Sequence, residues 1–376
     1  MKIKAAILRE MGRERPYSKS MPLTIEEVEL DKPQRREVLV KIKAAGLCHS
    51  DLSVINGDRP RPLPMALGHE AAGIIIEKGE EVNDFEVGDH VVFSFLPSCG
   101  HCIYCQTGRV ALCEKGAKAN GAGTLLGGAI RLHQENDKIY HHLGVSGFAD
   151  HVVASIDSLV KIDKAYPFEI AALFGCAVMT GVGAVMNTAQ LKLGESVMVV
   201  GLGGVGLAAI LGAKAAGAKK VLAADISKYK LDVAKELGAT EVFDSSKEGI
   251  VKEVKDYTKE NGVDASVEFA GAMPALDFAF HVTKRGGRTI TGALPAPDKK
   301  FVLDPLLLVG DEKTLKGCYL GSCVPLRDIP AYLELYKEGK LPVEQLITHR
   351  LKLEDINEGF DRLASGEAIR QVILFD

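Results

Sequence analysis

The sequence predicts an α/β protein of two domains, a β-rich first half with long loops followed by a doubly wound parallel sheet. Three observations carry that expectation. At 376 residues the chain exceeds what one hydrophobic core usually supports. Up to about residue 155, short alternating apolar runs ("EVLVKIKAAG", "AAGIIIEKG", "GDHVVFSF") are punctuated by Gly, Pro and Asp, which is strand patterning. From about residue 170 the texture becomes strand, glycine turn, helix, strand in "ESVMVVGLGGVGLAAILGAKAAGAKKVLAAD", and further strands follow at "DASVEFAG" and "GGRTITGAL".

Composition narrows the class. With 47% apolar and 26% charged residues and 39 glycines, the chain reads as turn-rich and globular. A net charge of −4, with no Lys/Arg cluster interleaved with aromatics, argues against nucleic acid or an anionic membrane as partner. The start "MKIKAAILREMG" is too short in its apolar run for a signal peptide core, and no window reaches the length of a membrane span. The expected location is the cytoplasm. There, eight cysteines point to metal binding or packing and not to disulfides.

The stretch "GLGGVG", residues 201–206, matches a dinucleotide fingerprint that any glycine-rich turn can imitate. Its context strengthens the reading. "SVMVV" precedes it, a helix follows, and Asp225 ends the next strand 19 residues after Gly206. Gly201 permits the tight turn, and Gly203, with Gly204 and Val205 beside it, lets the backbone approach a pyrophosphate at a helix N-terminus. Gly206 allows close packing of helix on strand. Asp225 would accept hydrogen bonds from the adenosine ribose and repel a 2′-phosphate, which selects NAD over NADP. The plain alternative is a strand-turn-helix in which Asp225 caps a turn.

"CGHCIYCQTGRVALC" places Cys99, Cys102, Cys105 and Cys113 with two, two and seven intervening residues. Four thiolates so close in a reducing compartment suit a tetrahedral, fully ligated structural zinc. An iron–sulfur cluster is the alternative, although the spacing fits neither common ferredoxin pattern. Four free loop thiols would oxidise readily.

Cys48, Cys176, Cys318 and Cys323 remain. A lone cysteine is usually a small core residue, and Cys48 and His69, 21 positions apart, can meet only through the fold. "GLCHSD", "GHEAAG", the four-cysteine loop, "GCAVMTGVGAV" and "GLGGVG" stand in the order seen in zinc-dependent medium-chain alcohol dehydrogenases. The chain resembles that family from residue 1 to 376, including the ending "INEGFDRLASGEAIRQVILF", and is similar to its liver-type and glutathione-dependent formaldehyde dehydrogenase branch. The resemblance implies a discontinuous GroES-like catalytic domain (1–177 and 321–376) and a Rossmann coenzyme domain (178–320). It also implies that the tail helices and the strand "RQVILFD" return to the first domain.

By the same resemblance Cys48, His69 and Cys176 ligate a catalytic zinc with one position open, giving two zinc ions per subunit with the four-cysteine site. Three soft or borderline ligands and an open position suit a Lewis acid. The expected reaction is reversible hydride transfer from a primary aliphatic or aromatic alcohol to NAD, giving an aldehyde. Asp51 matches the carboxylate that accepts the free N–H of His69, Ser50 the hydroxyl that takes the alcohol proton, and Glu70 a group near the zinc on the side away from substrate. His49 and Arg370 match contacts to coenzyme phosphates. Phe95, His142, Leu143 and Tyr319 match substrate-channel positions, and Cys318 and Cys323 read as ordinary thiols.

The chain departs from the family pattern in two places. Ser53 stands where family members often carry the histidine that ends a proton relay, and serine is no base near neutral pH. The arginine that holds the glutathione carboxylate is missing: Ala117 lies near its place, with only Lys115 and Lys118 close by. Segment 114–147 is long for a connection, and family members that keep a loop here are commonly homodimers. Two other functions compete, a formaldehyde dehydrogenase acting on a glutathione adduct and a non-catalytic zinc or redox-sensing protein.

Overall fold

A computed structural model describes residues 1–259 and 261–376. The chain divides into two compact units, one of residues 1–176, 324–333 and 347–376, the other of residues 177–323 and 334–346. The tail is therefore shared: residues 321–323 and 334–346, expected with the first domain, cluster with the second unit.

In the first unit five strands close a barrel, in the order Lys2–Leu8, Leu23–Leu30, Leu132–Gln134, Asp137–His141 and Met65–Ala66. A seven-stranded sheet is organised by the long strand Glu37–Gly46, which pairs antiparallel with Ala71–Lys78, His151–Ser155 and Arg370–Leu374. Val372 lies opposite Gly46, so the end of the chain is stitched in just before Cys48. The apolar residues of "EVLVKIKAAG" are all buried and its lysines only partly so, as a strand covered on both faces requires.

Segment 114–147, read from sequence as a long connection, holds the helix Glu114–Ala122 and a hairpin that completes the barrel. Its buried Leu132 and Ile139 supply the barrel with core, and Arg131 secures the hairpin with a bidentate bond to the buried Glu37 (2.9 and 3.0 Å).

The second unit is a parallel sheet of β1 (Ser196–Val200), β2 (Lys220–Asp225), β3 (Glu241–Asp244), β4 (Val263–Glu268), β5 (Thr283–Thr291) and β6 (Thr314–Gly317), in the order β3-β2-β1-β4-β5-β6. Met198, Val200, Leu222, Ala224, Phe243, Val254, Phe278 and Val282 form its core. The order reverses between β1 and β4, and in such sheets the crevice at the carboxyl ends of those strands binds ligands. No helix among the described residues is long and apolar enough to cross a membrane.

Candidate active site

Three segments of the first unit converge on one point. Cys48 caps the helix His49–Ile55, its backbone extended and its carbonyl accepting from the N–H groups of Asp51 (3.1 Å) and Leu52 (3.2 Å). His69 follows Gly68, whose φ of +93° and whose approach to the Phe148 nitrogen, 2.5 Å from where a Cβ would sit, leave room only for glycine. Cys176 lies between the helices Phe168–Leu173 and Ala177–Gly183. The two sulfurs and a ring nitrogen of His69 lie within 4.8 Å of one another, and all three residues are buried, so together they could hold one metal ion.

The donor set fits zinc on grounds internal to the fold. His69 is fully buried, and its Nε2 has no hydrogen-bond partner. A buried ring nitrogen left so is costly, and coordination beside two thiolates would satisfy it. The Cys176 thiol, against burial and with help from His69 and Arg370, holds the Cys48 thiol well below its ordinary pKa. Burial disfavours an imidazolium at His69, yet Asp51 and Cys48 raise its pKa to about 10. The surrounding charge is negative, and a metal cation would take the place of that proton.

Asp51 is buried beneath the cluster. Its Oδ2 lies 3.0 Å from His69 Nδ1, and its Oδ1 accepts from Gly68 N–H at 3.1 Å. Burial pushes this carboxyl up, but the facing imidazoles outweigh it and hold Asp51 below the usual carboxylate range. An ionised carboxylate keeps the proton of His69 on Nδ1 and leaves Nε2 for a metal.

His142 has a neighbour that the sequence did not indicate. Expected along a substrate channel, it is buried with Nδ1 3.0 Å from Asp51 Oδ1. The physical reason is that an imidazole, unlike an apolar side chain, can face a buried carboxylate with a ring nitrogen. Phe95 meets the His69 ring edge-on at 5.4 Å, and Asn120 Nδ2 donates to the Phe95 carbonyl at 2.7 Å. Leu143, next to His142 in sequence, is buried with φ +53°.

The other site residues of this unit take local places. Glu70 is fully buried, and its Oε2 accepts from Arg370 Nη2. Arg370, expected at a coenzyme phosphate, is itself buried facing that carboxylate, since a buried anion requires a cation. Ser50 is half-buried and His49 exposed at the start of their helix. Ser53 Oγ donates to the His49 carbonyl at 2.8 Å, so its hydroxyl serves the helix backbone.

The sulfurs of Cys99, Cys102, Cys105 and Cys113 also lie within 4.8 Å of one another. The helix Ile103–Gln106 and the 3-10 turn Val110–Leu112 fold the loop onto itself, and Cys113 Sγ accepts from the N–H groups of Cys99 (3.3 Å) and Gly116 (3.4 Å). Backbone bonds from His101 lower the Cys99 thiol, and those from Cys105 lower Cys102 to about 6, whereas burial raises Cys105 to about 12. Four donors fill a tetrahedral set and leave no open position.

In the second unit "GLGGVG" joins β1 to the helix Gly204–Ala215, with Gly203 as its N-cap. A Cβ at Gly206 would lie 1.9 Å from the Gly201 carbonyl, so that glycine is demanded by packing. A Cβ at Gly203 would meet nothing within 4 Å. That open cradle at a helix N-terminus fits a pyrophosphate. Asp225 accepts from Leu202 N–H (2.7 Å) and Ser227 N–H (2.9 Å), tying the glycine turn to the end of β2, and its oxygens retain acceptor capacity. Tyr319 is exposed, just before the 3-10 turn Leu320–Ser322, and Cys318 and Cys323 are buried, their sulfurs accepting from Thr188 Oγ1 (3.1 Å) and Asn187 Nδ2 (3.3 Å).

Comparison with known proteins agrees with this architecture. Residues 34–164 match the model of the alcohol dehydrogenase GroES-like domain, and residues 204–338 that of the zinc-binding dehydrogenase. The chain is 39% identical over 377 residues to an NDMA-dependent alcohol dehydrogenase of Amycolatopsis methanolica, covering 100% of this chain and 99% of that protein. Two crystal structures superpose over the whole chain. Benzyl alcohol dehydrogenase from Acinetobacter calcoaceticus does so with TM-score 0.93 and 32% identity, covering 100% of each chain. An alcohol dehydrogenase zinc-binding domain protein from Burkholderia ambifaria gives 0.94 and 31%, covering 100% of this chain and 99% of that one. With the GroES-like and Rossmann units both present, the chain belongs to the zinc-dependent medium-chain alcohol dehydrogenase family.

Proposed function

We propose that this alcohol oxidoreductase transfers hydride reversibly between a primary alcohol, aliphatic or aromatic, and NAD, giving an aldehyde. The observation that carries the reading is the buried convergence of Cys48, His69 and Cys176 on one unpartnered nitrogen, three donors where a closed site would have four. Zinc held there would supply Lewis acidity, lowering the pKa of an alcohol and polarising an aldehyde carbonyl, while NAD would accept the hydride. Asp51 sets the tautomer of His69, and Arg370 neutralises Glu70 behind the ligands. Ser50 takes the alcohol proton. Because Ser53 is engaged with its helix, the proton passes from there to water. Gly201, Gly203, Gly204, Val205 and Gly206 receive the coenzyme pyrophosphate, and Asp225 disfavours a 2′-phosphate. Phe95 and Leu143 give the substrate apolar wall.

The name of the Amycolatopsis relative supports a second reading, in which NDMA serves as acceptor. Turnover is the deciding experiment, read as NADH or NADPH formation or as NDMA reduction, on ethanol, hexanol, benzyl alcohol, a secondary alcohol, and formaldehyde with glutathione. Each substrate is paired in turn with NAD, NADP and NDMA. NAD-linked turnover of a primary alcohol is expected. Turnover only with NDMA would replace the acceptor, and turnover only with the glutathione adduct would replace the substrate, against the exposed Lys115 and Lys118 that stand alone near the expected arginine. No turnover with any pair would favour a sensor role.

The reading includes a homodimer in a reducing, cytoplasmic setting. None of the eight cysteines forms a disulfide. Strand β6 is a sheet edge with Thr314, Lys316 and Gly317 exposed, and Val302, Leu306 and Val309 nearby in sequence are 75–87% exposed. An open edge beside apolar surface suits pairing with a second copy. Sedimentation of the wild type and of Leu306→Asp should give a dimer and a smaller species. A wild-type monomer would sink this part.

A further inference from the structure

We propose that His142 is a positioning residue of the metal centre: it holds Asp51 Oδ1 so that Oδ2 is committed to His69, which thereby presents Nε2 to the metal. The inference rests on the ligand reading above. Asp51 has no exposed surface and carries its charge among few donors. Gly68 N–H donates to Oδ1 at 3.1 Å, His142 Nδ1 stands 3.0 Å from the same oxygen, and His69 Nδ1 stands 3.0 Å from Oδ2. A carboxylate so buried is stable only when its oxygens are engaged. Gly68 N–H makes the hydrogen bond to Oδ1, and the His142 ring nitrogen, packed 3.0 Å from the same oxygen, keeps the carboxylate from turning away from His69.

The rings reinforce this. His142 stands edge-on to His69 at 5.5 Å and 87°, and Phe95 stands edge-on to it at 5.4 Å and 89°. His69 is thus held between two rings, one of which also grips the carboxylate that orients it. The backbone of His142 is anchored independently: its N–H donates to the Ala66 carbonyl (3.2 Å), and its own carbonyl accepts from Val145 N–H (3.1 Å). The adjacent His141 shows the contrast. Burial lowers its pKa to about 3, and it accepts from Arg131 N–H at 3.1 Å and meets Ser146 Oγ at 3.1 Å, a wholly structural role.

The test replaces bound zinc with cobalt(II) in the full chain and reads thiolate-to-cobalt and d–d absorption, together with cobalt affinity by chelator competition. The difference spectrum between wild type and Cys48→Ala isolates this site from the four-cysteine site. His142→Phe keeps a flat ring but no donor, and should weaken cobalt binding by about 10- to 100-fold and shift the d–d bands. His142→Asn, whose amide nitrogen occupies the place of Nδ1, should restore both. Should His142→Phe fail to fold, His142→Gln, whose amide nitrogen sits one atom further out, takes its place with the same expected loss. Wild-type affinity and spectrum in His142→Phe or His142→Gln would overturn the proposal, as would an Asn variant as impaired as the Phe one. Absence of any difference spectrum between wild type and Cys48→Ala would instead overturn the ligand reading, and the proposal with it.

Discussion

The two cysteine clusters of the first unit use the same chemistry and are built in opposite ways. Cys99, Cys102, Cys105 and Cys113 come from one loop of fifteen residues, and three of the four are only partly buried. Cys48, His69 and Cys176 come from segments up to 128 positions apart and are wholly buried. In the loop, short helical turns and backbone N–H groups organise the sulfurs. At the other cluster the fold itself does so, backed by a carboxylate that Gly68, His69 and His142 face. A metal in the loop can be expected to stabilise structure, because little else holds fifteen residues in place. The dispersed cluster already has its geometry from the fold, so a metal held there would not be needed to hold the chain together.

The largest effect should come from breaking the dispersed cluster. Cys48→Ala should reduce alcohol turnover to background while circular dichroism and melting temperature stay close to wild type; His69→Ala should do the same to turnover but also lower the melting temperature, because it leaves the buried Asp51 Oδ2 without its facing imidazole. Wild-type turnover in either would show that these are not the ligands. Cys113→Ala should do the reverse, lowering the melting temperature by roughly 5 °C or more through loss of metal-linked stability, and unchanged melting would remove the structural role of the loop.

The glycine turn of the second unit repeats the contrast on a smaller scale. Gly206→Ala should destabilise the fold, since the new Cβ meets the Gly201 carbonyl at 1.9 Å. Gly203→Ala should leave melting unchanged and weaken NAD binding, measured by titration calorimetry, because only a bound group competes for that space. Equal effects of the two substitutions on melting would contradict this division.

The smallest effect is a control in the unit that contains neither cluster. Burial opposes the Asp264 charge, but Lys284 and Ser196 outweigh it and lower its pKa to about 2, from an ordinary value of 3.8. A carboxyl depressed in the folded state contributes stability above its ordinary pKa and loses it as the pH falls from about 4 to about 2. Asp264→Asn should therefore flatten the acid limb of the second unit, followed by far-ultraviolet circular dichroism against pH. An unaltered limb would show that Asp264 is not what titrates there.

Much of this was legible beforehand. The glycine turn and the four-cysteine loop are local patterns, and β1 and the helix after it stand where their apolar runs predict. The hairpin in segment 114–147 was not legible, because its strands are three and five residues long and owe their pairing to the barrel. Nor was the division of the tail at residues 334–346, which depends on contacts between distant parts of the chain. His142 looked like any residue beside an apolar neighbour, and its partner lies 91 positions earlier.

The sequence by itself determined the fold class, the parallel-sheet half and the loop cluster of cysteines, and through family resemblance it pointed to Cys48, His69 and Cys176 as a candidate ligand set. Only the tertiary structure decided that Asp51 serves two histidines and that Arg370 is buried against Glu70. The reason is physical. Periodicity and short spacings encode interactions between neighbours in the chain, whereas the pairing of a buried charge depends on which distant donors the folded sheets bring within about 3 Å of it.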